Sequence, residues 1–128
     1  MITGFTCSAF DLLHAGHILM LKEAREYCDY LIVGLHTNPR IDRKEKNAPI
    51  ESTWERFERL RGCKFIDEII PYDTEYDLYN ILQSRRIDVR FLGEEYIDEQ
   101  YTGKDLGIRV HYTKRRHNLS SSALRARL

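Results

Sequence analysis

Nine residues, Asp29 to Thr37 ("DYLIVGLHT"), narrow the choice of fold more than any other stretch of the chain. They form a nearly continuous apolar run, far shorter than a membrane span and without polar alternation. A strand of that kind is buried on both faces, as strands inside a parallel sheet are. The flanking segments agree. "MITGFTC", "KFIDEIIPY", "IDVRFLGE" and "GIRVHYT" read as further strands. "GHILMLKEAREYC", with Ile18, Leu21 and Ala24 at helical spacing, reads as a helix, as do "STWERFERLRGC", "EYDLYNILQSRR" and "SSSALRARL". Ser52 or Thr53 is placed to cap the second of these.

Strands that alternate with helices predict an α/β fold. The expected architecture is a three-layer, doubly wound open parallel sheet, Rossmann-like, with about five strands and right-handed crossovers. The 128 residues suit one domain over 1–128, with no repeat and no Pro/Gly/Ser linker. Trp54 and Phe57 are expected to pack the second helix against the sheet. Ligands of such sheets sit beyond the carboxyl ends of the strands, near a topological switch point.

Composition removes several function classes. Twenty basic and 20 acidic residues give a formal net charge of +0, so no nucleic-acid or anionic-membrane surface is expected. An anion site has to be built locally. "MITGFTCSAFD" lacks the basic and apolar regions of a signal peptide, which predicts a cytoplasmic protein. Cys7, Cys28 and Cys63 form no C-x-x-C pair and read as reduced thiols.

The local site is "SAFDLLHAGHILML", where His14 and His17 flank a small Ala-Gly pair at a strand-to-helix junction. Metal ligands on a helix usually stand at i and i+4, and no third ligand is evident. A purely capping or packing role remains open. A helix N-terminus has unpaired N–H groups and the positive end of the dipole, and two imidazoles there add donors for a phosphate. Asp11 is open to two roles, a helix N-side cap or an acidic group near Mg²⁺ and an acceptor. Alone, "RIDRKEK" is a solvated loop, while "KRRHNLSSS" runs basic residues straight into a helix N-terminus. Tyr72, Tyr76 and Tyr79 read as packing residues, and are also the one aromatic cluster placed to enclose a quaternary ammonium group.

"FDLLHAGH" with "LSSSALR" resembles the H-x-G-H nucleotidyltransferases, within them the small cytidylyltransferases typified by glycerol-3-phosphate cytidylyltransferase. The resemblance runs through "DYLIVGLHTN", the lysine loop, Glu55-Arg56, "FIDEIIP", "IDVRFLGEEY" and "RRHNLSSS". It implies an enzyme that condenses CTP with a small phosphorylated alcohol, glycerol-3-phosphate foremost, and releases pyrophosphate with Mg²⁺ held mainly by the phosphates. ATP as donor, or phosphocholine or phosphoethanolamine as acceptor, are the alternatives. By the same resemblance His14, His17, Lys44 and Arg115 are catalytic. The nucleotide would meet Ser8, Ala9, Phe10, His14, His17, Lys46, Gly93, Glu94, Glu95, Arg115, Ser120, Ser121 and Ser122. The acceptor would meet Asp11, Lys44 and Lys46, and a homodimer is implied. Two departures stand out. Ser8-Ala9 replaces the usual Gly-Thr before Phe10-Asp11, leaving only a backbone N–H at Ala9, and Asn118 replaces a glycine.

Overall fold

The computed structural model describes residues 1–114. Five strands, β1 (Thr3–Ser8), β2 (Tyr30–His36), β3 (Glu68–Tyr72), β4 (Val89–Gly93) and β5 (Arg109–Thr113), form one sheet in the order β3-β2-β1-β4-β5. Every neighbouring pair is parallel. Helices α1 (Ala15–Glu26), α2 (Thr53–Arg61) and α3 (Glu75–Ser84) supply three of the crossovers. The expected doubly wound sheet is therefore present. The predicted closing helix, and with it Arg115, Ser120, Ser121 and Ser122, lies outside the described residues.

Two apolar layers cover the sheet. Leu21, Ala24, Leu31, Val33, Leu35, Leu60, Val89 and Phe91 pack in one cluster, beneath α1 and α2. Phe5, Ile32, Tyr72, Leu78 and Leu82 pack in the other, beneath α3. β2 contributes alternate residues to both, which explains its unbroken apolar sequence. β1 lies at the centre of the sheet. The chain winds outward from it to β2 and β3, then returns to its other side at β4. The reversal puts the topological switch point, where ligands of open α/β sheets bind, at the carboxyl end of β1, from which the His14–His17 segment follows.

Each helix opens with a reciprocal cap. In α2 the Ser52 hydroxyl accepts from Glu55 N–H, and the Glu55 carboxylate from Ser52 N–H. Thr74 and Asp77 do the same for α3. In α1 the two partners are imidazoles. All three cysteines are free. Among the described residues no helix is long and apolar enough to cross a membrane.

Two expectations about aromatic residues are corrected. Trp54 is 71% exposed, and only Phe57 packs against the core. α2 is oriented by Arg56 and Leu60, both buried, and Trp54 projects from the opposite side of the helix. Tyr76 is exposed too. Tyr72 stacks on His36 with centroids 4.6 Å apart, and Tyr79 donates to Asp105 at 2.7 Å, so the three tyrosines form no common cage.

Candidate active site

β1 delivers the chain into a tight turn, Ala9 to Leu13, before α1 begins. Phe10 (φ 50°) and Leu12 (φ 51°) both adopt left-handed backbone, a strained conformation for non-glycine residues. The turn is held from outside. Asp11 is buried, and its two carboxylate oxygens accept from Ile50 N–H (2.8 Å) and Glu51 N–H (3.0 Å). Glu51 replies with Oε1, accepting from Leu12 N–H at 2.8 Å. The Phe10 ring is wholly in the core, its centroid 5.6 Å from that of His17.

The turn hands His14 to the N-cap of α1. Its Nδ1 accepts from Gly16 N–H at 3.0 Å, and His17 Nδ1 accepts from His14 N–H at 3.2 Å. The two rings stack at 4.0 Å. Because each Nδ1 is an acceptor, the ring hydrogen of each neutral imidazole resides on Nε2. Burial lowers His14 below the ordinary histidine range. Burial, with His14 adding to it and Asp11 opposing, lowers His17 to about 4. Both are thus neutral Nε2–H donors near neutral pH. His14 Nε2 is buried and has no hydrogen-bond partner among the described residues.

One residue fastens this turn to the neighbouring strand. The Arg56 guanidinium, 1% exposed, donates to the carbonyls of Glu51, Ala9, His36 and Thr37 and to the Thr53 hydroxyl, all within 3.2 Å. It clamps the carboxyl ends of β1 and β2 to the start of α2. The arrangement is a corner with the chemistry an anion site requires: helix N-terminus, two imidazole donors and a turn rigidly set by Asp11, Glu51 and Arg56.

Comparison with known proteins agrees with that geometry. A family model described as "Cytidylyltransferase-like" matches residues 5–127. The chain belongs to the cytidylyltransferase-like family. It is similar to the Bifunctional protein HldE of Caulobacter sp. (strain K31), 36% identical over 104 residues, which cover 80% of this chain and 21% of that protein. It is also similar to the Bifunctional protein HldE of Campylobacter curvus (strain 525.92), 32% identical over 125 residues, 97% of this chain and 26% of the relative. The chain thus spans about a fifth to a quarter of the length of these curated relatives. Among solved structures, the lipopolysaccharide core biosynthesis protein from Thermoplasma volcanium GSS1 superposes with a TM-score of 0.70 at 26% identity, covering 91% of this chain and 97% of that one. A pantothenate synthetase from Thermus thermophilus shares the fold, with a TM-score of 0.62 at 17% identity over 97% of this chain and 61% of its own.

The remaining expected site residues of this cytidylyltransferase-like chain distribute as follows. Ser8, exposed, ends β1, and Ala9 follows it with its carbonyl on Arg56. Gly93 ends β4, and Glu94 and Glu95 open the 3-10 turn Glu94–Tyr96, both exposed. Lys44 and Lys46 are exposed on the connection from β2 to α2. Among the described residues no hydrogen bond joins either lysine to the histidines. The connection is tied down at its two ends, where Asp42 accepts from Glu75 N–H (2.6 Å) and Ile50 and Glu51 donate to Asp11. Arg56 was not singled out as a site residue from the sequence. Its signal is a charged residue four positions before Leu60, on the face of α2 that has to be buried.

Proposed function

We propose that this chain transfers a nucleotidyl group from CTP to the phosphate of a small phosphorylated alcohol, with glycerol-3-phosphate as the leading acceptor. An acceptor phosphate oxygen attacks the α-phosphorus. The bond from that phosphorus to the α,β-bridging oxygen breaks, and pyrophosphate leaves with the electron pair. A phosphate monoester is already an anionic nucleophile, so no general base is required. What the reaction needs is alignment of two anions and neutralisation of the charge that grows on the leaving group.

The observation that carries this reading is the pair of neutral imidazoles at the N-terminus of α1, with both Nδ1 atoms occupied and a buried Nε2 on His14 without a partner among the described residues. Fixed Nε2–H donors stabilise developing phosphate charge without costly reorganisation. Lys44 and Lys46 would approach the phosphates from the exposed connection, with Arg115 and Ser120–Ser122 completing the grip. Asp11 is a positioning residue in this scheme, since its oxygens set the turn before His14. Among the described residues no three His, Cys, Asp or Glu side chains converge on a common point. By the family resemblance Mg²⁺ would be held mainly by the phosphates, where it neutralises their charge. A homodimer belongs to the proposal by family resemblance.

ATP is the second donor to consider, because "LSSSALR" also resembles the corresponding segment of ATP-using H-x-G-H enzymes. Phosphocholine and phosphoethanolamine are disfavoured as acceptors by the dispersal of Tyr72, Tyr76 and Tyr79. The deciding experiment compares thermal stabilisation by CTP and ATP with Mg²⁺, then measures pyrophosphate release across an acceptor panel. Stabilisation by CTP and turnover with glycerol-3-phosphate is the expected result. Stabilisation by ATP alone reassigns the donor, and no pyrophosphate with any pair overturns the reading.

A further inference from the structure

The α3 face of the sheet changes character at its carboxyl end. Below, Phe5, Ile32 and Ile70 are apolar. Above them Tyr72, His36 and Cys7 stand on β3, β2 and β1, and Arg90, whose backbone on β4 pairs in register with Phe5, reaches up to Cys7 with its guanidinium. A polar row of this kind is expensive to bury unless its groups are paired. Tyr72 and Cys7 close in on the gap left by Gly34, where a Cβ would meet Phe5, Cys7 and Tyr72 within 3.1 Å. Arg90 and His36 are not fully paired. Arg90 is 3% exposed and His36 is 8% exposed, yet among the described residues the buried Arg90 Nε and His36 Nε2 find no hydrogen-bond partner.

Arg90 has a specific vacancy. Its Nη1 donates to the Thr102 carbonyl, in a turn that closes over it at Gly103 (φ 88°). Tyr101 covers one face of the guanidinium, with Cζ 5.0 Å from the ring centroid. The Nε–Nη2 edge is the fork that grips a carboxylate or phosphate with two parallel bonds. Among the described residues Nη2 donates a long hydrogen bond to Cys7 Sγ at 3.9 Å, which an oxyanion would replace, and Nε has no acceptor. Burial pushes the Cys7 thiol up, so the sulfur stays protonated and brings no negative charge. Glu75 is the acid of this region, and its Oε2 is engaged by the Thr102 hydroxyl at 3.1 Å. Among the described residues no carboxylate forms an ion pair with Arg90.

Placement adds the second half of the argument. α1 and its histidines cover one face of the sheet, while Arg90 and His36 belong to the other. The carboxyl end of β1 separates them. Two reactants that meet over that end would approach from its two sides, the triphosphate from the histidine side and the acceptor from the Arg90 side.

We propose that the Nε–Nη2 fork of Arg90 binds an oxyanion of the acceptor on the α3 side of β1. This inference deepens the nucleotidyl-transfer reading and rests on it for the word acceptor. The oxyanion is either the reacting phosphate or a carboxylate at the acceptor's far end. Two probes that differ only there are glycerol-3-phosphate and 3-phosphoglycerate, which carries a carboxylate in place of the hydroxymethyl group.

The test is calorimetric binding of both probes, without triphosphate, to the wild-type chain, Arg90→Gln and Arg90→Lys. Arg90→Gln should weaken binding at least tenfold. Equal losses for both probes assign the phosphate, and a loss confined to 3-phosphoglycerate assigns the carboxylate. Arg90→Lys keeps the charge and lacks the fork, so it should fall between the other two and carries the test if the glutamine variant does not fold. Stabilisation by CTP should be unchanged in either variant, because the histidines lie across β1; a merely structural role for Arg90 would lower it. In turnover assays KM for the acceptor should rise more than kcat falls. Wild-type binding of both probes that survives in a folded Arg90 variant overturns the proposal, as does a wild-type chain that binds neither. A chain that binds the probes through Arg90 but releases no pyrophosphate with any triphosphate overturns the transfer reading and leaves the oxyanion site standing.

Discussion

His14 and His17 cap the same helix reciprocally, each offering Nδ1 to a backbone N–H while their rings stack 4.0 Å apart. The geometry fixes both as neutral donors and links the site to stability. His17 falls from 6.5 toward about 4 on folding, chiefly by burial. A histidine lowered in the folded state favours folding fully above its unfolded pKa, and that contribution is lost as pH falls from about 6.5 to about 4. The slope from this one group approaches about 1.4 kcal/mol per pH unit. In His17→Asn the loss of stability over that window should be shallower than in the wild type. Urea midpoints at pH 7, 5.5 and 4.5 measure it, and parallel curves would contradict the assignment.

His17→Ala should lower kcat at least 10²-fold in a chain that still folds, because a donor aimed at charge growing in the transition state is lost. The missing cap costs about 1 kcal/mol, too little to unfold an ordinary domain. Near-normal turnover would remove His17 from the chemistry.

Arg56→Met should destabilise the chain by about 3 kcal/mol or more, since it strands buried carbonyls of Ala9, His36, Thr37 and Glu51. Arg56→Lys should recover only part of this, as one ammonium group cannot span two strand ends and a helix start. Chemical denaturation checks both. A methionine variant of wild-type stability would mean that the clamp is dispensable.

Lys44→Ala and Lys46→Ala should leave stability within about 0.5 kcal/mol, as expected for exposed side chains. Both should depress kcat/KM. Proteolytic cutting between residues 40 and 49 should slow when CTP and Mg²⁺ are added. Unchanged cutting would show that the connection does not close on the triphosphate.

The sequence was most informative where one residue type has one physical use. The unbroken apolar run of β2, and the helical spacing of Ile18, Leu21 and Ala24 beside it, led directly to the parallel sheet. The His14–His17 pair was legible because imidazoles at a strand-to-helix junction have few competing explanations. Trp54 misled because its size suggested burial, whereas five hydrogen bonds donated by Arg56 decide which way α2 faces. Arg56 and Arg90 were overlooked for a common reason. A lone arginine in a helix or strand reads as a solvated charge until the carbonyls or vacancies around it are seen. The left-handed backbone at Phe10 and Leu12 carries no compositional mark, since neither position is glycine or asparagine.

The bonds that set the turn before His14 have a consequence for the order of assembly. They join residues 39, 40 and 47 positions apart in sequence, whereas the caps of α1 join neighbours two and three apart. Loop closure of that length is entropically costly and is repaid only after distant segments have met. A chain emerging from the ribosome can therefore form α1, histidines included, long before Arg56 and Glu51 exist to shape the approach to it. The helix matures early and the corner late, so nucleotide binding should be among the last properties a refolding chain regains.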